Sequence, residues 1–173
     1  MNYKLTKDTI TINGHKLFRI ECVKAFGNIK VGDLGGYIES ERNLSGNAWV
    51  SGYALVSDNA RVSGNARVYG YAQVYGYAWV SGDAWDSGDA RVSGDAQVYG
   101  NARVYGNARV YGDARVSGDA EVYGNAWVYG NARVSGNARV SGNARVSVLF
   151  LSLIGKLSCG RKKKQSSNKN KKI

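Results

Sequence analysis

The chain has no proline, one histidine, one methionine, two cysteines and three phenylalanines in 173 residues. Each shortage excludes something. Without proline, no backbone N–H is missing, as a fold made largely of inter-strand ladders requires. A lone histidine, His15, rules out a zinc site built on three histidine ligands. Apolar runs are too short to span a bilayer, so no transmembrane segment is expected.

What is present is a repeat. Between Leu44 and Arg145 a six-residue unit recurs seventeen times without an insertion. Its consensus is an aliphatic residue, Ser or Tyr, Gly, Asn or Asp, Ala, and a variable residue; Val146 opens one further unit. Alanine fills its slot every time, from Ala48 to Ala144. Six residues are too few for a helical repeat, and the pattern alternates with period two. Ala48 and Val50 point one way, and Trp49 points the other. The Gly-Asn and Gly-Asp pairs are turn chemistry, because these residues tolerate positive φ. Each unit therefore reads as a very short strand plus a corner. None can bury its inner face alone, so stacked copies must share one core of Val and Ala. Each buried Val contributes roughly 1.5–3 kcal/mol to it.

A unit such as Val62-Ser63-Gly64-Asn65-Ala66-Arg67 resembles the hexapeptide repeat of left-handed parallel β-helices. The resemblance implies three units per triangular coil, five to six coils in all. At a strand spacing of ~4.8 Å the rod would be roughly 27 Å long. The segment from Lys30 to Ser45, with Asn13-Gly14-His15 and Phe26-Gly27, resembles the N-terminal signature of YdcK-like hexapeptide-repeat proteins of bacteria and their prophages. That implies a capped β-helix of phage or prophage origin. A transferase label in that group rests on fold analogy, which does not establish an activity. Residues 44–145 hold no threonine, so the threonine arrays of ice-binding β-helices are excluded.

The expected organisation is all-β. A hairpin cap spans 1–43, the left-handed β-helix 44–146, an apolar capping segment 147–160 and a disordered basic tail 161–173. Asn13-Gly14 is a two-residue hairpin signal whose register pairs Ile10 with Leu17 and Asp8 with Arg19. Val146, Leu149, Phe150, Leu153 and Leu157 fall at helical spacing and predict a short amphipathic helix over the open end. Of the formal charge of +11, +8 lies in residues 146–173, +2 in 1–43 and +1 in the coils. Basicity is thus a property of the tail, which begins Arg161-Lys162-Lys163-Lys164 and has the composition to contact anionic lipid or nucleic acid non-specifically. Cys22 and Cys159 would sit at opposite ends of the rod, too far apart to bridge. Two free thiols and no visible cleavable leader predict a cytoplasmic location.

Three features bear on chemistry. Many hexapeptide β-helices are acyltransferases, working as homotrimers on an acyl-CoA donor with a histidine base near a subunit boundary. Here His15 is the only candidate base, and it lies outside the coils, where it reads as an exposed hairpin residue. Asp86 is the one break in the aliphatic column. With Asp83 and Asp89 three residues to either side it suggests a cation site, but a locally bulged coil accounts for it more simply. The outward slot between Ala and Val forms three columns at eighteen-residue spacing. One reads Trp49, Arg67, Trp85, Arg103, Glu121, Arg139; the second holds Arg91, Arg109, Trp127 and Arg145; the third Arg61, Trp79, Gln97 and Arg115. Arg stacked on Trp predicts cation–π ladders, and Trp and Arg are residues that interfaces favour. The reading is a non-catalytic structural or binding protein needing no cofactor. Its Trp/Arg/Tyr faces would serve self-association, with a trimer as one form, or contact with a protein or glycan partner.

Overall fold

The computed structural model describes residues 1–147, 150–151 and 156–159. The repeat folds as an all-β solenoid of about six turns, with three parallel sheets formed by two-residue rungs. Rungs eighteen residues apart pair in register: Trp49 with Arg67, Leu55 with Gln73, Arg61 with Trp79. The three columns read from the spacing are therefore the three faces of the solenoid.

One unit shows why these residues form this structure. Arg61, Ser63 and Asn65 donate their backbone N–H groups to the carbonyls of Ala78, Val80 and Gly82 in the following coil, at 2.8–2.9 Å. Ala66 N–H closes the corner onto the Ser63 carbonyl at 3.3 Å. Ala60, Val62 and Ala66 are fully buried, and Arg61 projects outward. The corner requires a left-handed residue, and Gly64 supplies it with φ +69°. Glycines of successive coils also stack closely, since a Cβ on Gly64 would lie 3.0 Å from the backbone N of Gly82.

The N-terminal residues extend one face. Strands β1 (Tyr3–Ile12) and β2 (His15–Cys22) form an antiparallel hairpin about Asn13-Gly14, both at positive φ. Ile10 faces Leu17. An irregularity between Leu5 and Thr9 removes Asp8 from the ladder, yet Asp8 Oδ2 still meets Arg19 Nη1 at 3.4 Å. Strand β3 (Leu34–Ile38) pairs antiparallel to β2 and parallel to the rung Leu55–Val56, which joins the hairpin to the solenoid in one sheet. Tyr3, Ile20, Cys22 and Ile38 are buried in the same apolar cluster as the Val and Ala columns. Asn43, buried beside them, accepts the Ser40 N–H at 2.8 Å and donates to the carbonyls of Asp58 and Ala60.

At the other end the expected helix is replaced by strands. Phe150–Leu151 pairs with Arg133–Val134, and Lys156–Cys159 with Arg139–Gly142, both parallel. The spacing to the preceding coil is seventeen residues instead of eighteen, so the six-residue phase resumes at Leu151 and Leu157 after the loss of one position. Apolar residues at 146, 149, 150, 153 and 157 fit a helix equally well in sequence. The open edge decides between the two, because a further strand satisfies its unpaired backbone groups and a helix does not. The basic tail, Arg161–Lys164 and beyond, lies outside the described residues.

The corner geometry makes a graded prediction. Gly118 has φ +68°, and an added Cβ would lie 2.9 Å from Gly136 N; Gly14 has φ +84° with nothing within 4 Å of that point. Gly14→Ala should lose about 1–2 kcal/mol in urea unfolding, the cost of a left-handed alanine. Gly118→Ala should lose roughly 1–3 kcal/mol more, through overpacking against the next coil.

Candidate functional site

Two regions concentrate polar and aromatic side chains. The first is where the hairpin meets the coils. The turn Asn13-Gly14 places His15 at the start of β2; Glu39 follows β3; Asp58 sits at a solenoid corner. His15 Nδ1 lies 3.2 Å from Glu39 Oε1, and His15 Nε2 lies 3.3 Å from Asp58 Oδ1. Glu39 Oε2 accepts the Asp58 backbone N–H, and Asp58 Oδ2 accepts the Gly76 N–H at 2.9 Å. The group borders a cleft of 280 Å³ whose walls include Ile12, Leu17, Leu55, Tyr75 and Arg91.

The hydrogen bond to Glu39 raises the His15 pKa; desolvation opposes this, and the charges of Asp58 and Glu39 reinforce it. Partial burial pushes the Glu39 carboxyl up, but the Asp58 N–H and the His15 ring outweigh it and leave its pKa lowered. Histidine between two carboxylates is thus held toward imidazolium. His15 is not a bare hairpin residue: its side chain is 41% exposed and paired at both ring nitrogens.

Asp58 is the residue that sequence reasoning passed over. In the other sixteen units its slot is glycine, and Asp58 adopts the same left-handed conformation, φ +58°. Aspartate tolerates that region better than most residues, though glycine does so more readily. A single departure from an otherwise uniform glycine column was the available signal.

The outward columns form the second region. Arg103 lies 5.6 Å from the Trp85 ring, and Trp127 is flanked by Arg109 at 5.1 Å and Arg145 at 4.5 Å. Tyr105 stacks on Tyr123 at 4.9 Å and Tyr111 on Tyr129 at 5.2 Å. Trp49 departs from the expected binding face. It is only 3% exposed, because Phe26 packs edge-on against it at 5.8 Å and Arg67 lies over Phe26 at 5.6 Å. Arg67 is further tied down by its bond to the Asn47 carbonyl at 3.0 Å. Trp85 and Trp79 remain 45% and 49% exposed.

Asp86 is not bulged out of the coil. It pairs in register between Val68 and Val104, and its side chain is fully buried. Neither carboxylate oxygen has a hydrogen-bond partner. Asp83 instead accepts the Asn65 amide at the surface. Among the described residues the one group of three ligand-type side chains is His15, Glu39 and Asp58.

The family model described as the YdcK beta solenoid repeat matches the chain in overlapping stretches that cover 56–76 and 87–147. Over those stretches the coils are similar to YdcK β-solenoid repeats. The interval between the two matched stretches includes Asp86, where the aliphatic column of this chain is interrupted. No curated protein matches the chain.

Desolvation raises the Asp86 pKa from 3.8 to about 8. Between those values the folded state holds a proton that the unfolded chain releases, so stability falls as pH rises and levels off above about 8. Asp86→Val restores the apolar column and should stabilise the solenoid by on the order of 2 kcal/mol at pH 7. The gain, followed by thermal unfolding, should widen from pH 5 to pH 8; a gain independent of pH would contradict a buried, proton-holding Asp86.

Proposed function

We propose that the protein is a non-catalytic scaffold, a left-handed β-helix that works by contact through its outward Trp, Arg and Tyr side chains, with self-association as the first use of that surface. The hexad spacing and the resemblance to hexapeptide-repeat proteins support the handedness, and the YdcK-like N-terminal signature supports a phage or prophage source. One observation carries the contact reading: aromatic side chains on the early coils are left open to solvent. Trp79 is 49% and the neighbouring Tyr77 68% exposed. By contrast, Trp127 is already stacked between two arginines. Ladder stabilisation accounts for Trp127. It leaves unexplained the aromatic surface around Trp79, and large rigid rings of this kind are favoured where a partner covers them.

The His15 geometry weighs against acyl transfer. A general base must have a free ring nitrogen to take a proton, and both nitrogens of His15 face carboxylates that favour the protonated ring.

The test pairs two variants. Trp79→Ala combined with Tyr77→Ala should lower the association state seen by light scattering while leaving the melting temperature unchanged. Trp127→Ala should do the reverse, losing about 1 kcal/mol of stability with its two cation–π contacts. A wild-type protein that stays monomeric at every concentration, or a Trp79/Tyr77 variant that associates normally, would sink the self-association reading.

A further inference from the structure

The histidine cluster has a chemistry that the contact reading does not use. We propose that His15, Glu39 and Asp58 form a binding site for a divalent first-row metal cation, with zinc as the type.

The donor set is the first argument. One imidazole and two carboxylates place a ligand atom from each residue within 4.8 Å of the others. A tetrahedral zinc with ligands at about 2.0–2.1 Å holds neighbouring donors roughly 3.3 Å apart. The two His–carboxylate contacts, at 3.2 and 3.3 Å, are already at that separation. They use different ring nitrogens, so a cation held by all three residues requires the half-exposed imidazole to swing until one nitrogen faces both carboxylates.

The second argument is orientation. Each carboxylate is fixed through one oxygen by a backbone N–H: Glu39 Oε2 by Asp58, and Asp58 Oδ2 by Gly76. The other oxygens, Glu39 Oε1 and Asp58 Oδ1, are the ones turned to the ring. Outer hydrogen bonds of this kind are what aim ligands at a metal. Charge agrees as well. Two carboxylates and a neutral imidazole carry −2, which a divalent cation cancels while displacing the histidine proton. The adjoining cleft of 280 Å³ gives water room to complete the coordination shell.

Sequence supplies the third argument. Asp58 is the only non-glycine among seventeen corner slots, and it stands opposite the chain's only histidine. An ion-pair clamp between hairpin and coil would use the same residues, and the experiment separates the two.

Full-length protein is stripped with chelator and titrated with Co²⁺, followed by visible absorption, and with Zn²⁺, followed by thermal unfolding. Wild type should bind one equivalent and gain melting temperature with saturating Zn²⁺. Asp58→Gly installs the residue that the other corners carry, so the variant should fold. It should lose tenfold or more in Co²⁺ affinity and show no Zn²⁺-dependent gain, and His15→Ala should behave likewise. Wild type without saturable binding would overturn the proposal and leave an ion-pair clamp. Equal affinity in Asp58→Gly, or a cobalt–thiolate band pointing to Cys22 or Cys159, would overturn it by placing the ion elsewhere.

Discussion

Everything in this molecule hangs from the backbone ladder between coils. A residue donates its N–H to a carbonyl seventeen positions later, as Arg61 does to Ala78 and Ser63 to Val80, and the pattern recurs along the solenoid. From Leu44 to Arg145 the ladder runs without drift, since a slip of one residue within a rung would turn its inward side chains outward; the one position lost before Leu151 is taken up between rungs. That is why the repeat is strict, why proline is absent, and why the corner slot is glycine at sixteen of seventeen places. It also explains the C-terminal strands. A ladder that simply stopped would leave its last groups unpaired, and residues 150–151 and 156–159 continue the pairing.

Because the ladder fixes the backbone, each side chain's role follows from its slot. The inward slots build the core, the corner slots set the turn, and the outward slots are free to vary. Two aspartates show what happens when a slot receives an uncharacteristic residue. Asp86 occupies an inward position and is carried into the core, since the ladder on both sides holds its backbone in register; it keeps a proton because no donor or cation reaches it. Asp58 occupies a corner, where its carboxylate reaches outward to a backbone amide and to His15. One substitution strains the core, and the other creates a polar site.

The outward columns divide in the same manner. Where arginines stack on tryptophan from both neighbouring rungs, as Arg109 and Arg145 do on Trp127, the ring is covered by its own chain, whereas Trp85, with Arg103 over it from one rung, stays 45% exposed. Around Trp79 the neighbours in the column are Arg61 and Gln97, and the ring bonds to Ser63 Oγ through Nε1 and stays half open. The N-terminal segment treats Trp49 differently again, laying Phe26 against it. Identical slots therefore end with different exposures according to what lies one rung away or folds over the face.

The sequence by itself determined the solenoid: its period, rung composition, inward and outward faces, the three columns, the Asn13-Gly14 hairpin and the pairing of Ile10 with Leu17. These depend on local turn chemistry and on a period that admits one stacking, so they can be read residue by residue. Tertiary structure alone decided the rest. Burial of Trp49 depends on Phe26, twenty-three residues earlier. The C-terminal segment satisfies a helical and a strand pattern at once, and the open edge of the last coil chooses between them. His15, Glu39 and Asp58 meet because β2, β3 and the coils share one sheet. Convergence of that kind leaves no local trace beyond a single aspartate in a column of glycines, because nothing along the chain records which distant segments the ladder will bring side by side.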